Sequence, residues 1–128
     1  MRKLSEDLEG VYDVLVSQGL QIRRETYDPT HFGNAMLELS SPDMCVQFIR
    51  DRGQTMVNLQ GVGKRWVSLE TLLEYMGEDL QLDFDVLRVG SALAERLEKI
   101  RGILADHGEY LADSEARKRS AVIRRFTN

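Results

Sequence analysis

Two prolines, two histidines and a single cysteine stand among 128 residues, and aromatic residues make up only 7%. One cysteine, Cys45, forms no internal disulfide, which agrees with a reducing compartment. One cysteine and two distant histidines, His31 and His107, make no zinc spacing. No apolar run approaches the roughly 18 residues of a membrane span. The opening MRKLSEDLEG turns acidic where a secretory signal would have its apolar core. A cytoplasmic chain without membrane association is expected.

Other motifs are missing as well. Gly61-Val62-Gly63-Lys64 lacks the four-residue spacing of a phosphate loop and the dinucleotide fingerprint, so it reads as a hairpin loop. The carboxylates Glu78, Asp79, Asp83 and Asp85 lack the central glycine and closing glutamate of a calcium loop. Cys45 sits in a strand-like run beside Met44 and Val46, with neither a helix N-terminus nor a cation to activate it. A small residue at the edge of the core is the better account of it. His31 falls in the loop Pro29-Thr30-His31-Phe32-Gly33-Asn34, and His107 on the apolar stripe of a long helix, neither with a sequence-local ligand partner. No catalytic constellation and no cofactor site emerge, and the protein is read as not an enzyme.

What the chain does contain is charge and hydrophobic periodicity. Its residues are 42% hydrophobic and 30% charged, with a net charge of −4. Five of the 17 basic residues, Arg117, Lys118, Arg119, Arg124 and Arg125, lie within 114–128 beside one acid, Glu115. The rest of the chain holds 12 basic and 20 acidic residues. An acidic body disfavours nucleic acid and anionic lipid and favours a basic partner. The tail carries charge without a recognition motif, so contact with the acidic body explains it at least as well as a nucleic acid does.

The pattern predicts an α+β protein: a helix, an antiparallel meander of four or five strands, a short helix, then a long helix packed on one face. Leu4, Leu8, Val11, Tyr12 and Leu15 recur at helical spacing and predict one helix over 6–18, stopped at Gly19. Strand-like runs follow at 20–27, 34–39, 44–50 and 55–59, joined by Ser40-Ser41-Pro42-Asp43 and Asp51-Arg52-Gly53-Gln54. A brief last strand is expected at 65–67. Ser68 and Glu70 begin a short helix that ends at Gly77. Leu93, Leu97, Ile100, Leu104 and Leu111 then mark a helix over 86–111, open to a break near Gly108. The organisation is one domain over 1–113 and a basic C-terminal helix or tail over 114–128.

The runs Phe32-Gly33-Asn34-Ala35-Met36-Leu37-Glu38-Leu39-Ser40-Ser41 and Val46-Gln47-Phe48-Ile49-Arg50-Asp51-Arg52-Gly53-Gln54 resemble a pattern in small uncharacterised bacterial proteins, some similar to immunity proteins of toxin systems. There FGN opens a strand, a second strand ends in RDRGQ, and a tryptophan and a short helix follow, so the likeness covers about 31–76. The resemblance implies a non-enzymatic protein whose acidic surface binds and blocks a basic toxin. It transfers no active-site residue.

Two functions are therefore carried forward. The first is an interaction protein that binds another protein, with Glu78, Asp79, Asp83 and Asp85 as the partner surface and a homodimer through the long helix as a further option. The alternative is a small-ligand or nucleotide-binding regulatory domain, its pocket formed by His31, Arg50, Trp66 and Tyr75. Arg50 is the pivotal residue. It shares the parity of Val46 and Phe48, so on a buried face its guanidinium needs a partner, either Glu38 or an acid of the helices. Arg52 is expected at the solvent-facing tip, with Gly53 supplying a positive φ in a three- or four-residue loop.

Overall fold

The structure is a computed structural model that describes residues 2–78 and 85–127, with side chains described as far as residue 121. It is α+β, as the pattern predicts. Two helical pieces, α1 (Leu4–Asp7) and α2 (Gly10–Ser17), precede the strands β1 (Gln21–Asp28), β2 (Asn34–Ser41), β3 (Met44–Asp51), β4 (Gln54–Gly61) and β5 (Val67–Ser68). The helices α3 (Leu69–Tyr75) and α4 (Val86–Thr127) complete the chain. The strands form one antiparallel sheet in sequence order, β1-β2-β3-β4-β5.

Local chemistry explains the turns. Ser41 and Met44 pair directly, which leaves Pro42 and Asp43 as a two-residue loop. Asp51 pairs with Gln54, so the RDRGQ loop also holds two residues, Arg52 (φ 53°) and Gly53 (φ 82°), rather than three or four. Both central residues are left-handed, which matches the twist of the flanking strands and explains the tight connection. Ser68 caps α3 by accepting from Thr71 N at 3.2 Å. The last strand begins two residues later than expected, at Val67.

Alternation decides the core. Ala35, Leu37 and Leu39 of β2, Val46 and Phe48 of β3, and Val57 and Leu59 of β4 are buried on one face. Against them pack Leu4, Leu8 and Leu15 from the N-terminal helices, Leu69, Leu72 and Leu73 from α3, and Val89, Leu93, Leu97, Ile100 and Leu104 from α4. The apolar stripe offered as an option for a homodimer thus packs within the monomer. Cys45 differs from its expected place: its parity puts it on the face turned away from the helices, where flanking side chains bury it.

Two helical expectations need correction. The single helix over 6–18 is divided, because Glu9 enters the left-handed region (φ 50°) and starts α2 at a new angle. That turn allows Leu4, Leu8 and Leu15 all to reach the core, each fully buried. It also leaves Asp7, at the end of α1, against the sheet. The long helix does not stop at Leu111 or break at Gly108; helical hydrogen bonding runs to Thr127, so residues 114–127 are its last part. Val89 and Glu115 line one cavity, although a straight helix would set them about 39 Å apart. The helix therefore bends between them, and its C-terminal half returns to the β4–β5 side of the sheet.

The basic end is tied to that side. Lys118 Nζ lies 3.0 Å from Glu74 of α3, and Arg119 lies 3.3 Å from Glu115. Among the described residues no helix is both long and apolar enough to cross a membrane.

Candidate functional site

The β1–β2 and β3–β4 hairpins meet at one end of the sheet. Proline at position 29 cannot donate, and Asp28 organises the loop: its Oδ1 accepts from Thr30 N at 3.0 Å and Thr30 Oγ1 at 2.7 Å. Its Oδ2 meets His31 Nδ1 at 2.6 Å. The hydrogen bonds from Thr30, then His31, hold the Asp28 carboxyl below its ordinary value. Phe32 follows in a left-handed conformation (φ 58°) and is 74% exposed. A bulky residue adopts that backbone at a cost, and strain of this kind collects at binding sites. Asn34 Oδ1 accepts from Arg52 N at 2.9 Å and joins the two hairpins.

Beneath the loop lies Arg50, 4% exposed. Its Nε donates to Gly33 O at 3.0 Å, one terminal nitrogen to Asp7 Oδ2 at 2.5 Å and the other to Arg2 O at 2.5 Å. Burial alone would raise the pKa of Asp7, but hydrogen bonds from Arg50 and Arg2 outweigh it and hold the carboxyl below its ordinary value. All three guanidinium nitrogens are engaged, and RDRGQ is a turn with a structural ion pair. The partner is Asp7, not Glu38, because Glu38 has the opposite parity: it lies on the outer face, where its Oε1 accepts from Arg24 and Gln47, each at 3.1 Å.

Register builds that outer face in rungs. Thr26, Met36, Ile49 and Met56 align across β1 to β4, and Arg24, Glu38, Gln47 and Asn58 form the next rung. The apolar rung lines a shallow cleft of about 370 Å³ with Asp28 and Asp51 at its hairpin end. Met56 is 46% exposed and also lines a second cavity, of about 320 Å³, at the free side of β4.

The four residues expected to form a pocket do not share this cleft, which includes Arg50 alone among them. His31 is exposed in the loop above. Trp66 is half-buried just before β5. Tyr75 ends α3 and stacks at a tilt on His107, centroids 5.6 Å apart, with His107 on the solvent side of α4 rather than on its buried stripe. In the expected acidic surface, Glu78 pairs with Arg96, and Asp85 Oδ1 caps α4 by accepting from Leu87 N at 2.9 Å and Arg88 N at 3.2 Å. Asp79 and Asp83 lie outside the described residues. Cys45 has its thiol pushed up, by burial first and the charge of Glu38 second, which opposes thiolate formation.

The apolar rung was missed in the sequence, although a signal for it existed. Met36, Ile49 and Met56 are apolar at positions whose parity opposes Leu37, Phe48 and Val57, so both faces of the strands carry hydrophobic residues. The site thus belongs to an α+β protein with a helix-backed antiparallel meander whose outer face is open at the hairpin end. Comparison with family models, with curated proteins and with solved structures finds no match.

Proposed function

We propose that the protein is a non-enzymatic binding module for another protein, which docks at the hairpin end of the sheet. The observation that carries this reading is Phe32, a solvent-exposed aromatic held in a strained backbone by a bonded loop, whose flanking residues Asp28 and Asn34 line the cleft of the apolar rung. Exposed aromatic anchors of this type dominate the energetics of protein interfaces. The sharper form is an immunity-type inhibitor of a basic protein. Its support is the net charge of −4 and the exposed carboxylates Asp13, Glu70, Glu98 and Asp106, which would steer a cationic partner toward the surface.

The test is affinity capture from the native cell with the wild type and with Phe32→Asn, a substitution the left-handed backbone tolerates. A stable protein partner is expected, bound at least about tenfold more weakly by the variant. Equal capture by both proteins would remove Phe32 from the interface, and no partner with either would sink the reading.

A small-ligand or nucleotide-binding regulator is the second reading, and the cavity of about 320 Å³ beside β4 favours it. A saturable rise in melting temperature with one metabolite would support it, because binding to the native state raises stability.

A further inference from the structure

We infer that the free edge of β4, together with the cavity beside it, is a docking site for an extended segment of a partner protein, which adds to the sheet as another strand. This rests on the protein-binding reading above but concerns a different surface from the Phe32 loop.

The edge is open because β5 is short. It pairs with β4 only at Asn58↔Ser68 and Leu59↔Val67, after which Ser68 caps α3 and the chain turns away. Gln54, Thr55, Met56 and Val57 have β3 on one side and, among the described residues, no strand on the other. Register tells which backbone groups are free. The two-residue hairpin closes with the hydrogen-bonded pair Asp51↔Gln54, so Met56 and Asn58 also exchange bonds with β3. The alternate residues, Thr55 and Val57, turn their N–H and C=O groups outward. Four backbone groups at strand spacing are what an added strand satisfies.

The two edges of the sheet are built differently. On β1 the register slips between Ile22 and Arg24, and Arg23, Arg24 and Glu25 put charge along the strand. Bulges and charges of this kind blunt an edge against pairing. The free part of β4, Gln54 to Val57, has no bulge, no proline and no charge.

A side-chain site adjoins the edge. The cavity of about 320 Å³ is walled by Val57, Leu69 and Val89, with Glu70, Glu115 and Arg119 at its polar side. Its lining includes Thr55 and Met56, so the cavity reaches the free part of β4. Arg119 is already held by Glu115, whereas Glu70 is an exposed carboxylate with no ion-pair partner among the described residues. The segment that fits is therefore extended, with an aliphatic side chain between Leu69 and Val89 and a lysine or arginine reaching Glu70.

Hydrogen exchange on the free protein comes first. The amides of Thr55 and Val57 are expected to exchange at least about a hundredfold faster than that of Met56, and equal protection of all three would overturn the inference. A displayed library of seven-residue peptides is then selected against the whole chain, with lysine or glutamate fixed at one position. Binders from the lysine set are expected to protect the Thr55 and Val57 amides. Glu70→Lys should weaken them about tenfold and abolish the lysine preference without lowering the melting temperature, and Phe32→Asn should leave them unchanged. A library without binders, or binders that leave those two amides unprotected, would overturn the inference. So would a dimer in sedimentation that protects them, since the occupant would then be a second copy. Loss of the cellular partner with Phe32→Asn but not with Glu70→Lys would leave the docking reading standing and remove the added strand.

Discussion

Arg50 and Arg65 perform the same task at opposite ends of β4. Each ties the sheet to helical carboxylates far away in sequence: Arg50 to Asp7 of α1, Arg65 to Glu109 and Asp113 of α4. The difference is water. The Arg50 side chain is 4% exposed and that of Arg65 is 53%. In the open tie, hydrogen bonds from the Arg65 backbone and side chain hold Glu109 and Asp113 below their ordinary values, but solvent and salt screen the attraction. In the buried tie, the Arg50 charge has no solvent to return to, so losing a partner costs more there. Loss of the buried tie should thus cost more than loss of the open one.

Arg50→Met is the strongest test of that contrast. It leaves the Asp7 carboxylate with Arg2 alone and the carbonyls of Gly33 and Arg2 without their donor, and a loss of about 2–4 kcal/mol in urea denaturation is expected. A loss below about 1 kcal/mol would erase the difference between the two ties.

Gly90→Ala tests the packing that brings α1 to Arg50. A Cβ at Gly90 would lie 2.5 Å from Leu8 Cδ2 and 3.2 Å from Val11 Cγ1. Overpacking costs about 1–3 kcal/mol and exceeds the roughly 1 kcal/mol a helix gains from alanine. The net expectation is a loss of about 1–2 kcal/mol, measured the same way, and a stabilised variant would mean that Leu8 yields freely.

Asp7→Asn probes the charge alone, with an expected loss of about 1–2 kcal/mol near neutral pH. The folded carboxyl lies below its unfolded value of about 3.9. Its contribution is therefore complete above the unfolded value and disappears as pH falls through the folded one. The stability curves of wild type and variant should converge below about pH 4, and a constant gap would assign the effect to shape instead. Arg65→Ala comes last, with an expected loss smaller than that of the other variants, and one that shrinks further in high salt.

Local rules are legible in the chain itself. Alternation and turn residues give the four main strands within a residue or two, because a two-residue hairpin needs only its own backbone preferences. Ser68 capping α3 is of the same kind. Parity placed Arg50 on the buried face and required a partner. Its identity was hidden, since Asp7 is 43 residues away; the parity of Glu38, opposite to that of Leu37 and Leu39, argues against Glu38 but does not point to Asp7. The four residues of the expected pocket are not brought together: His31 is held within its own loop by Asp28, and Tyr75 meets His107 of another helix, a contact that periodicity cannot see.

By itself, then, the sequence determined the order and type of the elements and which strand face is apolar, since these depend on neighbours one to four residues apart. Tertiary structure alone decided that Glu9 divides the first helix, that α4 runs past Gly108 and folds back, that Arg50 answers Asp7, and that β5 is too short to cover β4. Each of those outcomes depends on which distant surfaces compete for the same buried space, and that competition is resolved only when the helices meet the sheet.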